Sequence, residues 1–346
     1  MKLIRIALLP FSVLYGVVLR VRHLLFDWGW ISSKQFEQPV ICIGNLSVGG
    51  TGKTPFTIYL ARLLGDHNQL AILSRGYKRK TNGFVLADLG STAESIGDEP
   101  QLMFSKLQHT RVAVDEDRGH GIRKLIDESD VRTIILDDAF QHRKVKAGMN
   151  ILLTDYKNLY PKHWLLPAGS LRDLPQRAGA ADIIVVTKCP DDIDFRKTEQ
   201  IIQPLHHQLL FFTRLKYQSL RPLLGSQSFG MDFLSGKGVV LFTGIAQPRY
   251  LEEFLRSKTQ ILKTVNFSDH HDYQEKDIQS ITEIFDNFEA SPKLVVTTEK
   301  DAVKLQNPSL APLLLKLPIF VLTIEVEFLK DEEIFERELK KYVEKN

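Results

Sequence analysis

The chain has 346 residues, 43% of them hydrophobic and 25% charged, which supports a folded protein of one large or two ordinary domains and excludes a disordered one. A net charge of +3 is too slight for the clustered basic face of a nucleic-acid binder, so no nucleic-acid partner is expected. Cys42 and Cys189 are the only cysteines; each lies in an apolar run, which fits a reducing cytosol and suits neither a disulfide framework nor a zinc site.

The first element is a helix within "MKLIRIALLPFSVLYGVVLRVRHLLFDWGW". Between Arg5 and Arg20 lie 14 uncharged residues, fewer than the roughly 20 that a spanning helix needs. No small-residue cleavage site follows, which argues against a signal peptide. Basic flanks, an apolar body, and Trp28 and Trp30 at its end point to a helix lying in the membrane interface, basic residues toward anionic headgroups. Residues 1–35 are assigned to this helix; a helix packed on its own domain is the competing reading.

Short apolar runs then recur between helix-like segments: "VICIG" at 40–44, "LAILS" at 70–74, "RVAVD" at 111–115, "TIILD" at 133–137, "ILLTD" at 151–155 and "DIIVVT" at 182–187. Strands buried on both faces and joined by helices predict an α/β fold with a doubly wound, mostly parallel sheet of the P-loop type. The pattern restarts with "GVVLFTG" at 238–244, "QILKTVNF" at 260–267, "KLVVTTE" at 293–299 and "PIFVLTIEVEF" at 318–328. The expected organisation is a P-loop domain over 36–215, a hinge over 216–230 and a smaller α/β domain over 231–346, with a substrate cleft between the two.

"GNLSVGGTGKTP" follows the first strand. Gly49, Gly50 and Gly52 let successive amides turn inward, Lys53 reaches β- and γ-phosphates, and Thr54 offers a hydroxyl to Mg²⁺. Ser47, Val48 and Thr51 complete the loop, which opens a helix whose N-terminus favours anions. Ser47 stands where the usual pattern begins with glycine. Val48 stands where partitioning and metallochaperone ATPases carry a lysine, which weakens an assembly-switch reading. In "TKCP" at 187–190, Pro190 replaces the aspartate of the guanine-reading motif, so ATP is expected rather than GTP.

Asp137 and Asp138 end a strand at the sheet edge where the P-loop opens, a place for carboxylates that hold Mg²⁺ or its water shell. In "SIGDEPQLM", Asp98 or Glu99 caps a helix entered through Pro100, or one is a general base and the other assists the metal. "FSDHHDY" supplies His270 or His271 as a proton carrier that meets Asp98 if the cleft closes. Basic loops after strands place Arg75, Arg118, His142 and Arg172 at the carboxyl edge of the sheet, a rim suited to an anionic acceptor.

The ordered motifs "GNLSVGGTGKTP", "SRGYKR", "GDEP", "DRGHG", "LDDAFQHR", "LPAGSLRD", "FSDHH" and "TTEKDAVK" closely resemble the tetraacyldisaccharide 4'-kinases, the lipid A 4'-kinases of Gram-negative bacteria, over nearly the whole chain. Ser47 is normal for that family. The resemblance implies that ATP with Mg²⁺ phosphorylates the 4'-hydroxyl of a tetraacyldisaccharide 1-phosphate, forming lipid IVA, at the cytoplasmic face of the inner membrane. It implies an Asp98–His270 acid–base dyad with Asp98 taking the hydroxyl proton. It further implies Mg²⁺ arranged by Thr54, Glu99, Asp137 and Asp138, charge offset by Lys53 and Arg172, and a cleft lined by Arg75, Tyr77, Arg118, Gln141 and His142. Spacing alone does not separate His270 from His271. The lipid and the membrane surface are the expected partners, with no obligate protein partner. A membrane-associated P-loop ATPase switch acting on a protein is the alternative.

Overall fold

The computed structural model describes residues 2–65, 69–289 and 292–345. A short helix, α1 (Lys2–Ala7), leads into α2 (Leu9–Asp27). The strands are β1 (Val40–Asn45), β2 (Leu70–Ser74), β3 (Val85–Leu86), β4 (Arg111–Val114), β5 (Thr133–Leu136), β6 (Met149–Asp155), β7 (Ile183–Thr187), β8 (Leu209–Pro222), β9 (Gly238–Thr243), β10 (Gln260–Asn266), β11 (Lys293–Thr298) and β12 (Ile319–Phe328). They form one sheet in the order β10-β9-β11-β12-β8-β7-β6-β1-β5-β2-β4-β3. The β3–β4 and β8–β12 pairs are antiparallel and the other pairs parallel, as expected of strands covered by helices on both faces.

All ten apolar runs are strands. The segment expected to begin the hinge is different: residues 216–222 continue β8, which pairs with β7 at Leu209–Phe212 and with β12 from Thr213 to Pro222. The two halves of the sheet are therefore joined through β8 and β12 rather than through a free linker. The helix Glu332–Lys345 turns back onto the first half, where Phe335 and Leu339 are fully buried in the cluster that holds Ile41, Ile43, Phe56 and Leu60. The second half keeps its own apolar clusters, one around Phe242, Tyr273 and Ile281, the other around Leu241, Leu255 and Val296.

Helix α2 wears its apolar side outward. Its buried residues, Ser12, Gly16, Leu19, His23 and Phe26, recur at spacings of three and four and form one face. Phe11, Val13, Leu14, Val17, Val18, Val21 and Leu24 are exposed, with Trp28 and Trp30 beyond them. The inner face docks by polar contacts. Ser12 Oγ donates to the Leu165 carbonyl at 3.0 Å and accepts from the Ala168 N–H, Tyr15 donates to the Arg172 carbonyl at 2.8 Å, and His23 Nε2 lies 2.7 Å from the fully buried Asp173.

Candidate active site

The carboxyl ends of the central strands open into a cleft of roughly 1220 Å³ that reaches from α2 across the P-loop to the second half of the chain. β1 delivers the loop, and the helix α3 (Lys53–Leu64) leaves from it. Gly49 and Gly52 adopt φ values of 102° and 83°, the left-handed conformations that let the backbone curl. The curl is held from outside. The Asn45 amide donates to Thr51 Oγ1 at 2.8 Å, Thr187 Oγ1 donates to the Thr51 carbonyl at 2.8 Å, and the Val48 N–H donates to the Ser170 carbonyl. Lys188 Nζ donates to the Gly50 carbonyl and to Gln247 Oε1 of the second half. Ser47 is buried and paired with Leu171, while Val48 is half-exposed.

Around that loop stand the charges. Lys53 Nζ lies 3.7 Å from Asp138 Oδ2, and the Arg172 guanidinium grips both Asp138 oxygens as well as Asn45 Oδ1. Burial opposes ionisation of Asp138, but Lys53 and Arg172 outweigh it and hold the carboxyl below the usual range. Asp137 is fixed by Thr57 and Ser74, whose hydroxyls donate to its two oxygens at 3.2 and 3.0 Å. Burial, with the charges of Glu99 and Asp138 beside it, pushes Asp137 up to about 7.

A buried carboxylate strained by two carboxylate neighbours, in a cleft that the Thr54 hydroxyl also lines, is an oxygen donor set suited to a hard divalent cation. Among the described residues, no three His, Cys, Asp or Glu side chains form a ready-made metal cage. Mg²⁺ characteristically takes one or two carboxylates and completes its shell with phosphate oxygens and water.

Across the cleft, Asp98 begins the helix α5 (Asp98–Lys106), which follows the short helix α4 (Ala93–Ile96) through Gly97 at φ 95°. Asp98 does accept from the Glu99 N–H at 2.9 Å, yet its main partner is distant. His270 Nδ1 lies 3.0 and 2.8 Å from its two oxygens. Burial would raise the Asp98 carboxyl, but the His270 hydrogen bond and the Lys300 charge draw it below the usual range. His270 is held at φ 58° and packs edge-on against the Tyr77 ring at 5.1 Å. His271 faces away, 2.9 Å from Asp277 and stacked on Phe267. The geometry thus separates two histidines that spacing could not.

The remaining rim residues line the same cleft. Arg118 is buried and donates to the Asp115 and Asp137 carbonyls. Gln141 donates to the Asn45 carbonyl at 2.6 Å and accepts at its own carbonyl from Arg22. Burial and the Arg118 charge lower His142 to about 4, so its ring is neutral near pH 7, and its buried Nε2 has no partner among the described residues. Arg75 and Tyr77 are exposed at the mouth. Sequence reasoning assigned no role to Lys300, Lys188 and Tyr15, and counted His23 only among the basic residues flanking the helix. The last two face inward on an outwardly apolar helix, a signal visible only once the docked face is known; Lys300 was within a quoted motif but had no local feature of its own.

With this geometry in place, the comparisons are consistent throughout. The family model described as tetraacyldisaccharide-1-P 4'-kinase matches residues 4–344. A tetraacyldisaccharide 4'-kinase of Bacteroides thetaiotaomicron is 45% identical over 98% of this chain and 93% of its own length. One of Flavobacterium johnsoniae is 40% identical over 100% and 99%. A crystal structure of LpxK from Aquifex aeolicus in complex with ATP superposes with a TM-score of 0.77 at 32% identity, covering 98% of this chain and 99% of that one. From its motifs, its fold and these relatives, the chain belongs to the tetraacyldisaccharide-1-phosphate 4'-kinase family.

Proposed function

We infer that this protein transfers the γ-phosphoryl group of ATP to the 4'-hydroxyl of a tetraacyldisaccharide 1-phosphate, producing lipid IVA in lipid A synthesis. The observation that carries the reading is a carboxylate–histidine pair, Asp98 and His270, lining the same cleft as a P-loop flanked by Lys53, Asp138 and Arg172. A switch acting on a protein would need no such pair.

The amides of the loop from Ser47 to Gly52 cradle the phosphates, and Lys53 and Arg172 offset charge on the transferring group. Asp98, kept ionised by His270 and Lys300, accepts the proton of the sugar hydroxyl as its oxygen bonds to the γ-phosphorus and the bond to ADP breaks. Such transfer has a loose transition state, so alignment counts for more than base strength, and a carboxylate of low basicity suffices. Bound with the nucleotide, Mg²⁺ would neutralise phosphate charge, held by Thr54, Asp137 and Asp138 with Glu99 within reach. Arg118, Gln141 and His142, with Arg75 and Tyr77 at the mouth, would receive the anionic acceptor. The outward apolar face of α2 would rest in the cytoplasmic leaflet of the inner membrane, bringing the cleft to a lipid that does not leave the bilayer.

The test is transfer from γ-labelled ATP to the purified lipid in mixed micelles with Mg²⁺, comparing the parent with Asp98→Ala. Labelled 4'-phosphate that vanishes in the variant supports both reaction and base. Product unaffected by the variant removes the base assignment, and a folded, ATP-binding parent without product removes the reaction.

A further inference from the structure

The motif "TTEKDAVK" places three consecutive charged side chains, Glu299, Lys300 and Asp301, on one short helix, Glu299–Ala302, directly after β11. They point three ways. Asp301 is fully buried and serves its own half: it accepts from Thr243 Oγ1, the Gly244 N–H, Tyr273 Oη and Thr298 Oγ1 at 2.7–3.1 Å, and pairs with Lys304. Glu299 reaches to the other half. It takes Lys106 Nζ of α5 at 2.7 and 2.9 Å and the Ile324 N–H of β12 at 3.2 Å. With both flanking residues anchored, Lys300 has little freedom. Its Nζ sits among Glu99 Oε1, Asp269 Oδ1 and His270 Nε2, at 3.2, 3.2 and 3.3 Å, with Asp98 Oδ2 at 3.8 Å.

A lysine ammonium has three donors and no acceptor. It can hydrogen-bond to His270 Nε2 only through a lone pair there, which leaves the proton of the neutral ring on Nδ1, facing Asp98; Asp269 Oδ2, at 3.7 Å from the same nitrogen, lies beyond hydrogen-bond reach. We propose that Lys300 is a positioning residue for phosphoryl transfer: it caps His270 Nε2, fixes the tautomer that donates to Asp98, and balances the carboxylates that gather when the cleft is closed. The proposal rests on the Asp98–His270 reading. It divides the labour within that pair: His270 steadies the Asp98 carboxylate from behind, and Asp98 remains the group turned to the hydroxyl. Without the cap, the ring is free to carry its proton on Nε2 and to present Nδ1 as an acceptor to Asp98, lone pair against carboxylate.

The experiment uses the full chain in detergent micelles with ¹⁵N-labelled histidine, the His270 signals assigned by their loss in His270→Gln. At pH 8 the parent is expected to show a protonated Nδ1 and an unprotonated Nε2. Lys300→Met is expected to shift His270 toward the Nε2-protonated form. It should lower kcat by about ten- to a hundredfold, less than the loss of a general base itself, with the Kd for ATP within twofold of the parent. Lys300→Arg, which restores a donor-only cation, should recover most of the kcat.

A parent whose His270 carries its proton on Nε2 overturns the proposal, even if no Lys300 variant folds. So does Lys300→Met with an unchanged His270 spectrum and kcat. Asp98→Asn separates the two readings: if it transfers phosphate as fast as the parent while the His270 tautomer is as stated, the dyad reading falls and the Lys300–His270 contact stands.

Discussion

His270 Nδ1 lies 2.8 Å from Asp98 Oδ2, a contact between residues 172 positions apart and carried by opposite walls of the cleft. Because Asp98 is buried and paired there, Asp98→Asn keeps the shape and removes the charge. The expected loss is about 10²–10⁴-fold in kcat, the range for a positioned base, with ATP affinity unchanged because the P-loop is untouched. Steady-state kinetics beside equilibrium nucleotide binding check it; a variant within threefold of the parent ends the base assignment.

Asp137 gives a prediction with the opposite sign for stability and activity. Its carboxyl is raised from the ordinary 3.8 to about 7 by burial and by Glu99 and Asp138. The unfolded chain therefore ionises this group more readily than the folded one. The penalty builds up between those two values and is complete above about pH 7. Asp137→Asn should raise the Tm of the nucleotide-free protein at pH 8, leave it nearly unchanged at pH 4, and abolish Mg²⁺-dependent transfer. A Tm at pH 8 equal to or below that of the parent would show that the buried charge is already compensated.

Ten of the twelve described strands were readable from the sequence alone: most are buried on both faces and leave continuous apolar runs, whereas β10, at the sheet edge with no fully buried residue, showed only its Ile261, Leu262 and Val265. β3 is too short to leave a period, with two residues. β8 alternates polar and apolar over its second half, where Lys216 and Gln218 are exposed between half-buried neighbours, and such alternation beside glycines resembles a linker. The P-loop was legible because its chemistry is local: glycines, then lysine and threonine, in consecutive positions. The proposed acid–base pair was legible from spacing only as alternatives, which the family resemblance narrowed to Asp98 and His270. What decides between His270 and His271 is a turn that sends one ring to Asp98 and the other to Asp277. Lys300 was illegible for the same reason, since its partner Glu99 is 201 positions away.

The exposed face of α2 should govern access to lipid and not to nucleotide. Val13, Val17 and Val21 are 66%, 47% and 50% exposed, so replacing all three by glutamate puts the new charges on the outer face and leaves the buried docking residues in place. Each buried valine is worth about 1.5 kcal/mol on transfer from water. Losing three, and adding negative charge against an anionic surface, should lower partition into anionic vesicles by at least about a hundredfold. The KM for lipid should rise in parallel, with ATP binding unaltered. Co-sedimentation of the triple variant at the level of the parent would mean that this face does not carry the membrane contact.

The inner face of the same helix should reach the chemistry through two residues. Tyr15 donates to the Arg172 carbonyl, and His23 Nε2 meets the fully buried Asp173 at 2.7 Å, while Arg143 braces His23 at its carbonyl and at Nδ1. Arg172 and Asp173 are adjacent, so the segment that aims the Arg172 guanidinium at Asp138 is hung from α2. His23→Ala leaves Asp173 without this partner and should cost about 1.5–3 kcal/mol, the range for a hydrogen bond to a charged group. It should also lower kcat, because the backbone beside Arg172 loses its anchor. His23→Gln, which can still donate, should recover part of both. Thermal unfolding and kcat measured on the pair, with Tyr15→Phe as a milder cut of the same tie, separate the effects. A His23→Ala protein that melts lower yet keeps full kcat would confine this contact to stability and detach the helix from catalysis.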